Sequence, residues 1–291
     1  MGNFLLLAPA KINLILKLLG KRRDGFHLIE SLMVPVDLCD QIEVEFDTQA
    51  EDELSVESDS QDASSGIRNL VYRAADLLRR RTQRRFALSA RLRKNIPVGS
   101  GLGGGSSDAA TILRFLNHQL GYPLTLPELA MLGAEIGADV PFFIFGCPAI
   151  VTGIGEIVEP ISGVPGFHLV LCSPDVILPT ASVYAEADRS LTTQRPESNI
   201  AGFVVRRKPI EEWLANDLEA AAARICPEVR TLKRKLLDLG ALGASMTGSG
   251  STVFGICRDE PSAQRMAEAL RREGRWSRVT RALARSPGME D

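Results

Sequence analysis

The sequence predicts an α+β fold in a chain long enough for two domains. Segments of alternating apolar residues, typical of strands, are interspersed with segments of helical periodicity along the whole length. The 291 residues, 45% of them hydrophobic, suffice for more than one buried core. The helix after the main glycine-rich loop leads into a turn and a second helix, so the next strand of a doubly wound α/β fold is absent where that fold requires it.

The first half of the chain is predicted to begin with strands and to end with helices. Alternating apolar residues from Ile12 to Leu18 indicate the first strand. The last helix of this half has Thr125 as its N-cap and ends before Asp139. The expected elements are strands near residues 4–18, 28–36 and 41–46, a helix near 69–81, a strand near 86–93, and then the glycine-rich loop and its two helices.

The second half is predicted to open with the strand "FHLVLCSP". A second glycine cluster, "GASMTGSGSTVFGIC", lies between two apolar stretches and predicts a tight strand–loop–strand turn. Helices are expected near residues 180–189, 209–224, 227–239 and 261–273. No internal repeat or low-complexity segment is found in the sequence.

Composition excludes several classes of protein. The apolar N-terminus is interrupted by Lys11, Asn13 and Lys17, which fits neither a signal peptide nor a membrane span. The five cysteines are scattered, odd in number and without C-x-x-C spacing, so neither a zinc site nor a disulfide framework is expected. A reducing cytoplasm is the simplest expectation.

Charge is distributed unevenly along the chain. The formal net charge of -2 argues against general nucleic-acid binding. Residues 40–62 hold ten acidic residues and no Lys or Arg, whereas half of the residues from Arg79 to Lys94 are basic. Both runs are interpreted as solvated faces, and the alternative that some of these arginines attract an anionic substrate stays open.

The stretch "KNIPVGSGLGGGSSDAATILRFLN" contains five glycines between residues 99 and 105, directly before a predicted helix. Ordering glycine costs more conformational entropy than ordering any other residue, so such a run indicates positive φ or a close neighbour. Ser106, Ser107 and Asp108 fall in the first helical turn, where unpaired amides and the helix dipole suit a phosphate. The alternative, a flexible linker, is disfavoured because a strand and a helix flank the run directly.

The spacing of the glycines distinguishes between kinds of phosphate loop. No lysine follows them, so the common G-x-x-x-x-G-K-[ST] loop is excluded. Gly99, Gly101 and Gly104 satisfy G-x-G-x-x-G, but the second parallel strand of a dinucleotide-binding unit is missing. The loop is therefore predicted to bind phosphate in another structural setting.

Four ordered motifs carry a resemblance to a known family. "APAKINL", "IPVGSGLGGGSSDAAT", "GADVPFF" and "MTGSGSTVF" resemble, in order and spacing, the motifs of the GHMP kinases. The resemblance covers roughly residues 8–257. It implies a ribosomal-S5-like N-terminal domain over residues 1–155, an α+β C-terminal domain over residues 156–291, and a cleft between them in which ATP and substrate meet.

The resemblance also implies roles for individual residues. Its catalytic lysine and aspartate fall on Lys11 and Asp139. A carboxylate within reach of a substrate hydroxyl can accept its proton, and a nearby ammonium would keep that carboxylate ionised and offset charge on the attacking oxygen. Asp108 is a rival base, but the helix dipole already explains an aspartate at that position. Mg²⁺ is expected with ATP, without assigned ligands. The residues expected to wrap the ATP phosphates are Pro97, Val98, Gly99, Ser100, Gly101, Leu102, Gly103, Gly104, Gly105, Ser106 and Ser107.

The acceptor is implied by "DGFHLIE" and "PTASVYAE". Within the family such segments bind cytosine, which implies ATP-dependent phosphorylation of a cytidine-diphosphate-linked methylerythritol in the non-mevalonate isoprenoid pathway. The residues expected to bind this substrate are Asn13, Phe26, His27, Thr180, Tyr184, Gly248, Ser249 and Gly250. Two alternatives stay open: a GHMP kinase for a mevalonate-like or homoserine-like alcohol, and a non-catalytic nucleotide-binding regulator of the same fold. The oligomeric state also stays open.

Overall fold

The computed structural model describes residues 2–50, 53–60, 66–174, 176–189, 200 and 208–287. Its strands are β1 (Gly2–Lys21), β2 (His27–Asp47), β3 (Leu54–Ser58), β4 (Ala87–Arg93), β5 (Ala149–Thr152), β6 (Ile157–Pro160), β7 (His168–Ser173), β8 (Ala215–Asn216), β9 (Gly243–Met246), β10 (Val253–Cys257) and β11 (Trp276–Arg281). Its helices are α1 (Leu70–Thr82), α2 (Gly104–Gln119), α3 (Leu126–Ala134), α4 (Val140–Phe145), α5 (Thr180–Asp188), α6 (Glu219–Ile225), α7 (Glu228–Asp238) and α8 (Glu260–Arg272).

The larger sheet has seven strands and is built around β1 and β2. These two strands pair antiparallel along almost their whole length, from Gly2 opposite Phe46 to Lys21 opposite His27. The order β3-β4-β2-β1-β8 is extended by β5, which pairs with β2, and by β6. The short strand β8 comes from the second half of the chain and adds to β1 in parallel, so the two halves share one sheet.

The smaller sheet has four antiparallel strands in the order β11-β7-β10-β9. Its middle pair matches the predicted strand "FHLVLCSP" and the strand after the second glycine cluster. The predicted strand–loop–strand turn is confirmed, because β9 and β10 pair from Gly243 opposite Ile256 to Met246 opposite Val253. In the part of the chain that the structure describes, α5 to α7 lie between β7 and β9 in sequence, and α8 lies between β10 and β11.

Three clusters of buried apolar side chains place the helices and sheets in layers. The first joins the larger sheet to α1–α4 and includes Phe86 and Leu113. The second joins the smaller sheet to α5–α8 and includes Val183. The third lies between the two sheets, where Ile12 of β1 packs in the same cluster as Phe254 of β10. The sheets therefore face each other across a shared core, and helices cover their outer sides.

Most predicted elements are confirmed, and the differences have physical reasons. The two strands expected at 28–36 and 41–46 form the single strand β2, because its pairing with β1 continues past the register shift beside Pro9. The helix expected over 209–224 is wrong: a 3₁₀ turn and β8 precede α6, since Leu214 has an extended backbone with φ -66 and ψ 116. Helix α4 and strands β3, β5, β6, β8 and β11 were not expected.

Among the described residues, no helix combines the length and apolar character needed to cross a bilayer.

The division of the chain at residues 155 and 156 stays a prediction. The larger sheet still includes β6 (Ile157–Pro160), which lies just after the predicted division, and the smaller sheet begins with β7.

Candidate active site

A cleft of about 940 Å³ opens between β1, the glycine-rich loop, the residues just before α4, α5 and the β9–β10 turn. It is lined by both of the predicted catalytic residues, by most of the glycine-rich loop and by both predicted base-binding segments. Three of the predicted site residues do not line it, namely Leu102, Ser107 and Gly250. Leu102 and Ser107 are fully buried, so their side chains pack inside the protein and not against the cleft.

Lys11 lies on β1 with only 3% of its surface exposed. Its Nζ donates a hydrogen bond to Asn13 Oδ1 over 2.7 Å and lies 3.8 Å from Asp139 Oδ2. Burial lowers the pKa of Lys11, and the carboxylate of Asp139 acts in the opposite direction. The backbone N–H of Lys11 donates to the Leu102 carbonyl, which fixes the strand against the loop.

Asn13 is a buried junction between the two halves of the chain. Asn13 follows Lys11 by two positions on β1, so the two side chains lie on the same face of the strand. Its Oδ1 accepts hydrogen bonds from Lys11, from Thr247 Oγ1 and from the N–H of Gly248, while its Nδ2 donates to Ser31 Oγ. Through these contacts Asn13 holds Lys11 and the β9–β10 turn in place.

Asp139 is the residue before α4, and its side chain is 32% exposed. Pro141 in the first turn of this helix needs no backbone hydrogen-bond donor, which suits a helix that begins directly after Asp139. The carboxylate therefore combines access to the cleft with an ammonium partner at 3.8 Å. A carboxylate so placed can accept a proton from a substrate hydroxyl.

The glycine-rich loop uses its backbone freedom at three alternate positions. Gly99, Gly101 and Gly103 have φ of +64°, +82° and +76°. A Cβ at Gly101 would lie 2.3 Å from the Thr247 carbonyl oxygen, so the loop packs directly on the β9–β10 turn. The predicted close neighbour is thus a second loop of the same protein, which leaves the opposite side of the run facing the cleft.

The first turn of α2 separates its two serines. Ser106 lines the cleft, whereas Ser107 is fully buried and its hydroxyl has no hydrogen-bond partner among the described residues. The helix begins with Gly103 as N-cap, which brings unpaired amides of the first turn to the same wall as Ser106. Ser106 is therefore the serine able to contact a ligand.

The other end of the cleft holds the predicted base-binding residues. Phe26 is 58% exposed, and the rings of His27 and Tyr184 lie 4.8 Å apart. Burial, with a smaller contribution from Asp139, raises the pKa of Tyr184 to about 12, so its phenol is neutral and is no rival to Asp139 as base. Thr180 Oγ1 and Ser249 Oγ are 3.0 Å apart, which joins α5 to the β9–β10 turn.

Sequence reasoning missed a buried ionic cluster beside the loop. Lys94 Nζ donates to Asp40 and, over 2.5 Å, to Asp108 Oδ2, and Asp40 Oδ1 also accepts the N–H groups of Asn95 and Ile96. Burial first, and the Asp40 carboxylate next, raise the pKa of Asp108 to about 7 against the opposing effect of Lys94. Asp108 is thus a member of this buried ionic cluster. Lys94 is the basic residue of the run from Arg79 to Lys94 that lines the cleft.

Sequence also gave no indication of three further polar residues at the site. Asn216 Nδ2 donates to the carbonyls of Met246 and Gly248 and so supports the β9–β10 turn. Lys21 and Asp188 line the base-binding end and form an ion pair of 2.6 Å. The contacts that place these side chains at the site are to segments distant in the chain, and no local motif marks them.

Comparison with known proteins identifies the class. Residues 69–147 match the family described as "GHMP kinases N terminal domain", and residues 206–275 match "GHMP kinases C terminal". Fold and cleft therefore define a GHMP kinase, an ATP-dependent phosphotransferase, as the motifs predicted. A 4-diphosphocytidyl-2-C-methyl-D-erythritol kinase of Syntrophotalea carbinolica is 42% identical over 281 residues, which are 97% of this chain and 98% of that protein. The chain belongs to the 4-diphosphocytidyl-2-C-methyl-D-erythritol kinase family.

Solved structures agree with this assignment. A crystal structure of 4-(cytidine 5'-diphospho)-2C-methyl-D-erythritol kinase matches with a TM-score of 0.79 and 34% identity, covering 96% of this chain and 100% of that one. A homoserine kinase from Cytophaga hutchinsonii has a TM-score of 0.75 at 19% identity, covering 99% of this chain and 96% of its own. The second likeness shows the shared fold alone.

Proposed function

We propose that this chain transfers the γ-phosphoryl group of ATP to the 2-hydroxyl of 4-diphosphocytidyl-2-C-methyl-D-erythritol, a step of the non-mevalonate route to isoprenoid precursors, in the cytoplasm. The observation that carries the proposal is the meeting of Lys11, Asp139 and the glycine-rich loop in one cleft. The names of relatives 42% and 34% identical over nearly the full length support this acceptor. A homoserine or mevalonate acceptor is less favoured, because the likeness to those kinases lies below 20% identity.

The reaction is a direct in-line transfer. Asp139 takes the proton of the acceptor hydroxyl as its oxygen forms a bond to the γ-phosphorus, and the bond from that phosphorus to the β,γ-bridging oxygen breaks to release ADP. Lys11 offsets the negative charge that develops on the transferred group. Asn13 holds the ammonium by its 2.7 Å hydrogen bond, so the cation is in place before substrate binds.

The phosphates of ATP are expected along the glycine-rich loop and the first turn of α2. Positive φ at Gly99, Gly101 and Gly103 turns the backbone of the loop, and the start of a 16-residue helix adds unpaired N–H groups and a favourable dipole. Ser106, which lines the cleft, can add a hydroxyl contact. Gly248 and Ser249 line the opposite wall.

Mg²⁺ is proposed to accompany ATP and to neutralise phosphate charge in the transfer. The described residues hold no group of three or more His, Cys, Asp or Glu side chains suited to a metal ion. Mg²⁺ commonly keeps several waters and is held mainly by substrate phosphates. Ser106 is the side chain of the loop that would reach it.

The cytosine ring of the acceptor substrate is expected beside Phe26, His27 and Tyr184. An aromatic side chain that covers a base contributes about 1–3 kcal/mol, and cytosine presents a donor and an acceptor in an order that uracil reverses. Fixed polar partners reject the wrong base because mismatched groups are left unpaired. Tyr184→Ala is therefore expected mainly to raise KM for the acceptor, with little change in kcat.

A coupled ADP-release assay tests the proposal. With ATP and Mg²⁺, the purified chain should turn over the cytidine-linked methylerythritol compound far better than its uridine counterpart, mevalonate or homoserine. Ser182→Ala, on an exposed position of α5 away from the cleft lining, is the matched control for Tyr184→Ala. Equal kcat/KM for the two nucleotide substrates would remove cytosine from the site, and absence of any ADP release would favour the non-catalytic regulator. A phospho-enzyme on the reaction path would exclude direct transfer.

A further inference from the structure

Asp188 joins the two sides of the base-binding end of the cleft. It is the last residue of α5, the helix that also carries Thr180 and Tyr184. Its Oδ1 lies 2.6 Å from Nε2 of His27, and its Oδ2 accepts a 2.6 Å hydrogen bond from Lys21 Nζ. Lys21 and His27 face each other at the end of the β1–β2 ladder, so one carboxylate ties α5 to both strands.

The contact fixes which nitrogen of His27 carries a proton. Hydrogen bonds from Lys21 and then from His27 lower the pKa of Asp188, so its carboxylate is ionised at neutral pH and only accepts hydrogen bonds. An Nε2 at 2.6 Å from such an oxygen must be protonated. A neutral imidazole has one N–H, so Nδ1 is then an acceptor.

We propose that Asp188 is a positioning residue that holds His27 in the Nε2–H tautomer and thereby presents Nδ1 to the cleft as a hydrogen-bond acceptor. His27 lines the cleft, and its Nδ1 forms no hydrogen bond with the described residues. The side chain of His27 is only 7% exposed, and the ring of Tyr184 lies against it. Burial and this ring contact both restrict the orientation of the imidazole.

The consequence for substrate choice rests on the proposed function. An acceptor nitrogen pairs with an exocyclic amino group, which cytosine carries, and it repels the carbonyl oxygen that uracil carries at the same position. In Asp188→Asn the amide can instead donate a hydrogen bond to Nε2, which favours the Nδ1–H tautomer. This variant should therefore lose discrimination between the two bases.

The tautomer is measured without any substrate. The chain has three histidines, so ¹⁵N-labelled histidine gives few signals, and His27→Gln assigns those of residue 27. At about pH 8.5, where free imidazole is neutral, the wild-type His27 should show Nε2–H, and Asp188→Asn should shift it towards Nδ1–H. An Nδ1–H tautomer in the wild type, or the same tautomer in both proteins, would overturn the proposal.

Kinetics test the effect on specificity. The ratio of kcat/KM for the cytidine substrate over its uridine counterpart should fall about tenfold or more in Asp188→Asn, the scale of one mispaired hydrogen bond. Asp188→Glu, which restores an acceptor, should recover part of the ratio. A retained ratio in Asp188→Asn would mean that Asp188 only supports the fold.

A control variant separates the tautomer from general disturbance. Asp217→Asn alters a different aspartate–lysine pair, in which Asp217 Oδ1 lies 3.2 Å from Lys17 Nζ. Neither residue of this pair lines the cleft, so this variant should leave the ratio unchanged. If the wild type used neither nucleotide substrate, the proposed function would fail, and the tautomer experiment would still decide on Asp188.

Discussion

Lys11 combines a favourable position for chemistry with an unfavourable one for stability. A buried ammonium has lost its hydration, and its ion pair with Asp139 is long at 3.8 Å. One neutral hydrogen-bond acceptor, Asn13 Oδ1, is its close partner. The cost of burial is visible as a lowered pKa of Lys11.

Lys11→Met is expected to abolish turnover and to stabilise the fold at neutral pH by about 1 kcal/mol or more, as replacement of buried charges by apolar groups often does. Asn13 Oδ1 keeps two other donors, so no buried group is left unpaired. Because the folded pKa of Lys11 is lowered, the unfolded chain binds more protons between that pKa and 10.5, and wild-type stability rises with pH in that window.

Urea unfolding at about pH 7 and pH 9.5 measures this difference. The advantage of Lys11→Met should shrink at the higher pH. Lys17→Met is the control, because that lysine is 39% exposed and its replacement removes no buried charge. A variant equally destabilised at both values would contradict the expected cost of burial.

Asp139→Asn should lower kcat by about 10² or more, the usual scale for loss of a general base, with ATP affinity nearly intact. The amide keeps the size of the side chain but cannot take the proton. ADP release gives kcat, and calorimetry gives ATP affinity. Asp76→Asn on α1, outside the cleft lining, is the matched control. Wild-type turnover in Asp139→Asn would assign the base to another residue.

At this scale the sequence located the residues that lie within motifs and missed those defined by distant contacts. Lys11 and Asp139 each stand in a short segment that resembles a motif of the GHMP kinases. Asp40 and Asp188 stand in ordinary acidic surroundings, and their partners lie 54 and 161 residues away. Only the folded chain brings those partners together.

The glycine-rich loop and α2 act as one element, and individual glycines within them differ in what they tolerate. Gly103→Val is expected to weaken ATP binding, because φ is +76° and a Cβ would lie 2.9 Å from the Phe143 ring. Gly105→Ala is the control: its Cβ would meet Leu70 at an ordinary 3.4 Å, and alanine favours the helix by up to about 1 kcal/mol. Equal ATP affinity in both folded variants would move the phosphates away from the loop.

The buried cluster of Asp40, Lys94 and Asp108 holds both ends of this loop. Asp40→Ala would leave Lys94 with a single partner and two backbone N–H groups unpaired, so we expect a loss of about 3–5 kcal/mol in unfolding free energy. Chemical denaturation measures the loss. Asp59→Ala, which removes one exposed contact with the N–H of Lys94, should cost far less. Similar losses in the two variants would contradict an anchoring cluster.

Long elements with a clear period were predictable, and short ones were not. Helices α1 and α7 follow their apolar spacing closely, from Leu70 to Thr82 and from Glu228 to Asp238. Helix α4 has six residues, all but one of which are buried, so its apolar run has no helical period to read. Strand β8 has two residues and exists because β1 offers it an edge.

The two sheets share a core, so the whole molecule should unfold as one unit. Ile12 and Phe254 lie in the cluster between the sheets, and the N–H of Leu283 donates to the Pro35 carbonyl. Calorimetry without ligands is expected to show one transition whose calorimetric and van't Hoff enthalpies agree. Two separate transitions would instead support independent domains on either side of residues 155 and 156.

The partners of Asn13 have a consequence for the time course of biosynthesis. Thr247 and Gly248 lie 234 and 235 residues further along the chain. At roughly 5–20 residues per second on the ribosome, they are made on the order of 10–50 s after Asn13. A nascent chain therefore has its longest pair of strands available well before Lys11 is enclosed, and a ribosome stalled ahead of Thr247 carries an incomplete cleft.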